Sequence, residues 1–530
     1  MENILQKKRQ RINKKNNNNN NNNNSISENK NNNQKKENKK QKNIQNKKEE
    51  KKLEEINEGK AHIKLINSDK TFSAFYNPVQ ELNRDLTVIS IYTYFNFNKF
   101  RKPKEFEKLK NYKFSIIEPL SATGLRGVRY ITELPKDKIK LIVNNDMDAK
   151  AVECIKINIK LNNIDENIFK VYQKDASQLL YQNFSSFDIV DIDPYGTAIP
   201  FVDSAIMAAK NNAMLCLTFT DTAVLCGNYP ETTLYKYGSI PYKTSSCHEM
   251  AKRIVLYSVS CAASKYKKVI KPLMCYNAGF YIRIFLIIYE SPEECKSNCL
   301  KYGYVFHCKQ CQNKIIIPMA RAEENKIKNG KANSNVKFNN ILLNNPLCEV
   351  CEGNMFMCGP FWIDKLYDEN WLEKIKENLN LDEFKYLKYN ERLQNIIEGM
   401  KNELTMKDYP FYFDYSFLGR DITLSAFKFN LFEGALNSLG FKLVQSYYDP
   451  NLFKTDATAG VLYDILKQYK KENTKNDDEY YKNIDKNSYK YKILSKEIKQ
   501  KANFIECKKK KGIKYPENPF PNWGPKGRAK

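Results

Sequence analysis

The sequence predicts an α/β fold on a parallel sheet, followed by a smaller α+β domain and preceded by a disordered basic tail. Three observations lead there. A short apolar strand, Ile116-Ile117-Glu118, runs into the small-residue turn Ser121-Ala122-Thr123-Gly124 and then into helix. Three further apolar runs end in polar residues, at Asp146, at Asp175-Ala176 and at Asp193, as strands do when their carboxyl ends line one rim. Two C-x2-C pairs, Cys308/Cys311 and Cys348/Cys351, lie beyond that pattern and mark a second unit.

The elements follow in order. Small residues after the first strand let a ligand approach backbone N–H groups at the start of a helix spanning about Gly127–Glu133. Only Gly124 and Gly127 are present, so this is not the G-x-G-x-x-G dinucleotide pattern. The strand Lys140-Leu141-Ile142-Val143 leads to Asn145-Asp146-Met147-Asp148. An acid about 20 residues after the glycine turn is placed for ribose hydroxyls, with Asp146 preferred and Asp148 its rival. Apolar residues at Ala151, Val152, Ile155 and Ile159 give a helix over Ala149–Leu161. A third strand, Phe169–Tyr172, delivers Asp175-Ala176 toward an adenine edge, and a fourth, Phe187–Ile192, delivers Asp193. By alternation Asp191 shares a face with Asp193, without an assigned role. The long apolar strand Phe280–Tyr289 closes the domain. It is too short, and interrupted by Arg283, to span a membrane.

Residues 1–55 form a low-complexity tail with an unbroken Asn run, Asn16–Asn24, unable to bury enough apolar surface to order itself. The main domain is expected over 56–290, a second over 291–468, and a polar linker with a basic tail over 469–530. Formal net charge is +26, of which residues 1–52 supply 16 basic and 5 acidic side chains, so the folded body is basic too. A polyanion is the natural partner. Fourteen cysteines without a secretory signal argue for reduced thiols inside the cell. Paired C-x2-C motifs suit tetrahedral Zn²⁺ with four protein ligands, although the gap between the pairs is long; Cys358 is an alternative fourth ligand, Cys295 and Cys299 a looser pair. The polar stretch Lys326–Asn340 is expected to loop out.

The tetrapeptide Asp193-Pro194-Tyr195-Gly196 resembles the signature of methyltransferases that act on an exocyclic amine of a nucleobase. With Phe75-Tyr76-Asn77-Pro78, Asn83-Arg84-Asp85, Ala122-Thr123-Gly124-Leu125-Arg126-Gly127, Thr220-Asp221-Thr222-Ala223-Val224-Leu225-Cys226-Gly227, His248-Glu249-Met250-Ala251, Lys454-Thr455-Asp456-Ala457 and Asn522-Trp523-Gly524-Pro525, the chain resembles the tRNA guanine-26 N2-dimethyltransferase family from about Gly59 to Trp523. The resemblance implies a Rossmann-like class I S-adenosylmethionine-dependent methyltransferase domain plus a C-terminal domain containing a zinc ribbon. It implies Arg84, Arg126, Asp146, Asp175 and Ala176 as cofactor contacts, Asp193 as the catalytic carboxylate, and Cys308, Cys311, Cys348 and Cys351 as ligands of a structural zinc.

In the implied reaction guanine N2 attacks the sulfonium methyl, with Asp193 and the Pro194 carbonyl orienting the amine and Tyr195 stacking on a base that has left its helix. Two methylations make N2,N2-dimethylguanosine. tRNA is the expected partner, with no membrane and no obligate protein partner. The nucleus, the cytoplasm or both are the expected compartment, the mitochondrion an alternative. Tyr447 stands where the family pattern has histidine. Other classes left open are an amino-methyltransferase on another nucleic acid and a non-catalytic RNA-binding zinc protein.

Overall fold

The computed structural model describes residues 52–67, 76–97, 111–323, 335–339, 347–424, 427–473 and 484–507. The Asn-rich tail, Phe75, most of the Lys326–Asn340 stretch and the segment from Lys508 through Trp523 lie outside the described residues. The described residues from Leu53 onward form one compact unit.

A hairpin opens the described chain, β1 (Lys52–Glu58) and β2 (Ala61–Asn67), followed by helix α1 (Glu81–Phe95). The sheet then builds as β3 (Phe114–Glu118), α2 (Leu125–Glu133), β4 (Ile139–Asn145), α3 (Ala149–Leu161), β5 (Phe169–Tyr172), α4 (Ala176–Gln182), β6 (Phe187–Ile192), α5 (Ile199–Ala208) and β7 (Ala209–Phe219). Helices α6 (Pro230–Tyr237) and α7 (Cys247–Lys265) precede β8 (Lys268–Ala278) and β9 (Tyr281–Glu290). The order is β5-β4-β3-β6-β7-β9-β8. Pairings from β5 to β7 are parallel; β9 runs antiparallel to both β7 and β8. Strand order reverses between β3 and β6, which is where a doubly wound sheet opens a crevice at its carboxyl edge. The continuous apolar runs of β3 and β6 are buried on both faces, as central parallel strands must be.

Beyond the sheet, β10 (Tyr302–Cys308), β11 (Lys314–Pro318) and a strand over Met355–Trp362 form an antiparallel ribbon. Between its strands Ala320–Glu323 pairs with Asn335–Phe338, so the insertion expected to loop out is partly a hairpin. The main core runs without a break from Leu82 through Trp362 and Trp371 to Tyr447, across the position expected to separate two domains. A helix over Ala459–Asn473 carries through residue 468. A second core gathers the four ribbon cysteines with Phe432, Phe453 and Tyr463. Tyr447 is part of the seam: its hydroxyl donates to Asn277 Oδ1 at 2.7 Å.

Two buried carboxylates tie distant segments together. Glu58 takes both Arg84 and Arg129, and Glu249 takes Arg253 and Lys454. Burial would push each carboxyl up, but the cations beside it win and hold both at about 2, from an ordinary 4.5. Because the folded values lie below the unfolded ones, their stabilisation is complete above about pH 4.5 and lost as pH falls toward 2. Urea unfolding at stepped pH should show stability declining across that window. Glu58→Gln should be less stable at neutral pH and decline less steeply; an unchanged slope would remove Glu58 from the account.

Candidate active site at the carboxyl edge of the sheet

Each strand end presents one polar group to the same rim. After β3 the chain turns through Ala122 (φ 49°) and Gly124 (φ 75°) into α2. Gly127 in the first turn of α2 faces Asn144 so closely that a Cβ would lie 2.2 Å from its Oδ1, so helix and strand approach only with glycine there. At the end of β4, Asp146 accepts the Ala122 N–H through Oδ2 (2.9 Å) and the Asp148 N–H through Oδ1 (3.0 Å), locking the turn to the neighbouring strand. Its rival Asp148 caps α3 by accepting the Lys150 N–H. Asp175 is exposed and caps α4 through the Gln178 N–H, with Ala176 buried beside it.

β6 ends at the Asp193-Pro194-Tyr195-Gly196 turn. Gly196 has φ +90° and open space where a Cβ would stand. Its carbonyl accepts the Thr220 and Asp221 N–H groups, and its own N–H donates to Thr220 Oγ1 at 2.8 Å, so the segment after β7 buttresses the turn. Tyr195 is 79% exposed, its ring presented to solvent at the rim. Asp193 is paired by the Arg126 guanidinium.

Beneath the rim lies a buried charged layer that sequence reasoning only half saw. Arg283 on β9 pairs with Asp191 at 2.8 Å and donates to Thr218 Oγ1 (2.8 Å) and Thr87 Oγ1 (3.0 Å). The Tyr130 hydroxyl donates to Asp191, and Arg126 lies 3.9 Å from both Asp191 and Glu118. Burial raises the Glu118 carboxyl well above its ordinary value, with Asp191 adding to the effect. Burial pushes Asp193 the same way, but Arg126 and Arg283 overcome it and keep this carboxyl below its ordinary value. The outcome is an ionised, rigidly held acceptor at the mouth of the crevice. Glu118, Tyr130 and Arg283 were missed. The signal was available, since a lone arginine in an apolar buried strand must meet a buried acid.

Arg84 stands in the first turn of α1. It grips Glu58 with both guanidinium edges and donates to the Asn77 carbonyl, while Arg129 links Glu58 to Asp85 and Glu133. Of the other acids, Asp188 sits at the opposite end of β6, with Lys210 and Tyr112. Asp221 accepts from Tyr237, and Glu249 is enclosed by cations, so neither is free for acid–base work.

The ribbon cysteines converge. Cys308 and Cys351 sulfurs lie 3.4 Å apart, as do those of Cys311 and Cys348, and all four fall within 4.8 Å of one another. Gln312 and Glu352, each just after a C-x2-C, adopt positive φ (57° and 58°), so the two turns repeat one geometry. Cys358 stands apart, against the Phe356 carbonyl, and Cys295 and Cys299 bond backbone carbonyls elsewhere. None of the fourteen cysteines is in a disulfide.

A seven-stranded sheet with this switch point, a glycine turn onto a helix and a carboxylate-lined rim suited to a sulfonium cation define an S-adenosylmethionine-dependent methyltransferase. The solved structure of Trm1 from Pyrococcus horikoshii with S-adenosyl-L-methionine aligns with TM-score 0.62 and 25% identity, over 77% of this chain and 98% of that one. The chain belongs to the N2,N2-dimethylguanosine tRNA methyltransferase family, whose model matches residues 54–467. The tRNA (guanine(26)-N(2))-dimethyltransferase of Schizosaccharomyces pombe is 30% identical, over 89% of this chain and 92% of that protein. The mitochondrial one of Saccharomyces cerevisiae is 31% identical over the same shares. Among the described residues no helix is long and apolar enough to cross a membrane.

Proposed function

We infer that this chain is an S-adenosylmethionine-dependent tRNA (guanine-26-N2)-dimethyltransferase that places two methyl groups on N2 of guanine-26 and yields N2,N2-dimethylguanosine. The observation that carries the reading is the ionised Asp193 on a buttressed Asp-Pro-Tyr-Gly turn at the sheet's switch point. S-adenosylmethionine, when bound, supplies an electrophilic methyl on a sulfonium. Asp146 is assigned to the ribose, Asp175 and Ala176 to the adenine, and Arg126 to the cofactor side of the crevice. Arg84 is assigned to the cofactor as well, held by Glu58 on the helix whose Thr87 meets Arg126 and Arg283.

Asp193 and the Pro194 carbonyl accept the hydrogens of the guanine amine and turn its lone pair toward the methyl. The ionised Asp193 orients the amine and stabilises the positive charge that grows on nitrogen, and the proton released there passes on to solvent. Tyr195 offers the extruded base a stacking face. The basic body suits the tRNA phosphates.

The four ribbon cysteines are assigned to one structural zinc. A tetrahedral Zn–S length of ~2.3 Å puts sulfurs ~3.8 Å apart, within the spread of this group. Cys308→Ser should cost one equivalent of zinc and lower the folded yield, with activity per folded molecule little changed. Metal analysis showing that zinc retained would refute the ligand set. Residues 56–290 are assigned to catalysis, 291–468 to tRNA binding, and 1–55 and 469–530 to flanking tails. Fourteen cysteines without a disulfide suit a reducing compartment, the nucleus, the cytoplasm or both, with the mitochondrion an alternative.

The test is incubation of purified chain with S-adenosylmethionine and unmodified tRNA, then nuclease digestion and mass spectrometry. N2,N2-dimethylguanosine at position 26, absent when that guanosine is replaced, supports the reading. A methylated base elsewhere refutes the substrate assignment and keeps the reaction class.

A further inference from the structure

Away from the ribbon, a second group of metal-binding side chains lies beside the segment that buttresses the catalytic turn. Cys226 sits in the tight turn Val224–Asn228, and Cys247 and His248 are the first two residues of α7. The two sulfurs and a His248 ring nitrogen all lie within 4.8 Å of one another, and all three residues are half-buried. His248 Nδ1 is 3.7 Å from the Cys247 sulfur.

The imidazole is already oriented as a ligand. Its Nε2 lies 2.9 Å from the Gly279 carbonyl oxygen, which can only accept, so Nε2 carries the proton. The Nδ1 lone pair is left facing the sulfurs. A backbone carbonyl on the far nitrogen is the support that metal-bound histidines commonly have. Two thiolates and an imidazole form a soft-to-borderline donor set that favours zinc over the hard cations. For Zn–S of ~2.3 Å and Zn–N of ~2.0–2.1 Å, tetrahedral geometry puts sulfur and nitrogen ~3.6 Å apart, close to the observed separation.

We propose that Cys226, Cys247 and His248 form a second zinc site, separate from the four-cysteine ribbon, that clamps the turn after β7 to the amino end of α7. Three protein ligands leave a fourth position for water or another small ligand. The clamp has a direct line to the active site. Cys226 follows closely on Thr220 and Asp221, whose N–H groups hold the Gly196 carbonyl. Gly227, next to Cys226, is packed so that a Cβ would lie 3.1 Å from the Tyr242 carbonyl, leaving this turn little room to relocate.

Zinc is counted by mass spectrometry on full-length protein purified under reducing conditions. Wild type should hold two equivalents, the Cys226→Ser/Cys247→Ser variant one, and the Cys308→Ser/Cys348→Ser variant one. A single equivalent, lost with the ribbon pair and kept by the Cys226/Cys247 pair, overturns the second site and leaves the ribbon assignment standing. A single equivalent with the opposite pattern supports this site and overturns the ribbon. No zinc in wild type overturns both. Should a variant fail to fold, alkylation of wild-type thiols with and without a chelator decides. Cys226 and Cys247 should be protected until the metal is removed. Equal labelling in both states, or an intact mass two hydrogens lighter that signals a disulfide, overturns the proposal.

Discussion

Asp193→Ala is expected to lower methyl transfer to tRNA by about 10²–10³-fold or more while leaving tRNA affinity nearly unchanged. The magnitude is that of removing one positioned group aimed at charge developing in the transition state. Asp193 is the polar end of β6, fixed by Arg126 and by a turn whose Gly196 is held on both sides by Thr220. Removing the carboxylate leaves Arg126 near Asp191 and Glu118, so the arginine keeps acidic company and the fold survives. Asp193→Asn retains one acceptor oxygen and should fall between wild type and alanine. Single-turnover rates and filter binding separate the two effects. Loss of tRNA binding in parallel with activity would make Asp193 a structural residue and move the chemistry elsewhere.

The second large effect is on stability. Arg129 is completely enclosed and bridges Glu58, Asp85 and Glu133 at 2.7–2.9 Å. Arg129→Met keeps much of the volume but strands buried carboxylates, and breaking a buried pair from one side costs about 3–5 kcal/mol. The exposed Lys374–Glu377 pair provides the contrast: Lys374→Ala should change stability by less than about 1 kcal/mol. Chemical unfolding followed by fluorescence measures both. An Arg129→Met protein as stable as wild type would mean that the carboxylates take up protons or water at little cost.

The catalytic half was legible because its information is local. The strands over Phe169–Tyr172 and Phe187–Ile192 and the helix over Ala149–Leu161 stand at the residues their periodicity indicates, and the polar strand ends do meet on one rim. What escaped depends on pairings between residues distant in sequence. Arg283 read as an interruption in an apolar run; only the β7–β9 register, which sets Thr218 opposite Arg283, brings it toward Asp191. The buried ion pair of Arg84 escaped as well. Its partner Glu58 lies at the margin of a Lys-rich segment that looked too polar to fold. The ribbon cysteines were legible from spacing, whereas Cys226 and Cys247 are brought together by a turn and a helix that no spacing rule connects.

The seam between the sheet and the later helices also sets a schedule for biosynthesis. Helix α1 is made early, yet the Asp85 carboxylate accepts the Tyr389 N–H across 304 residues, and Lys388 reaches back to Glu81 across 307. At ~5–20 residues per second, ribosomes need about 15–60 s to produce those partners. Throughout that interval the nascent chain carries a helix whose polar groups await residues not yet translated. Messages cut short between codons 290 and 388 should therefore yield a complete sheet with an uncovered α1 that engages chaperones or is degraded, rather than a smaller working enzyme.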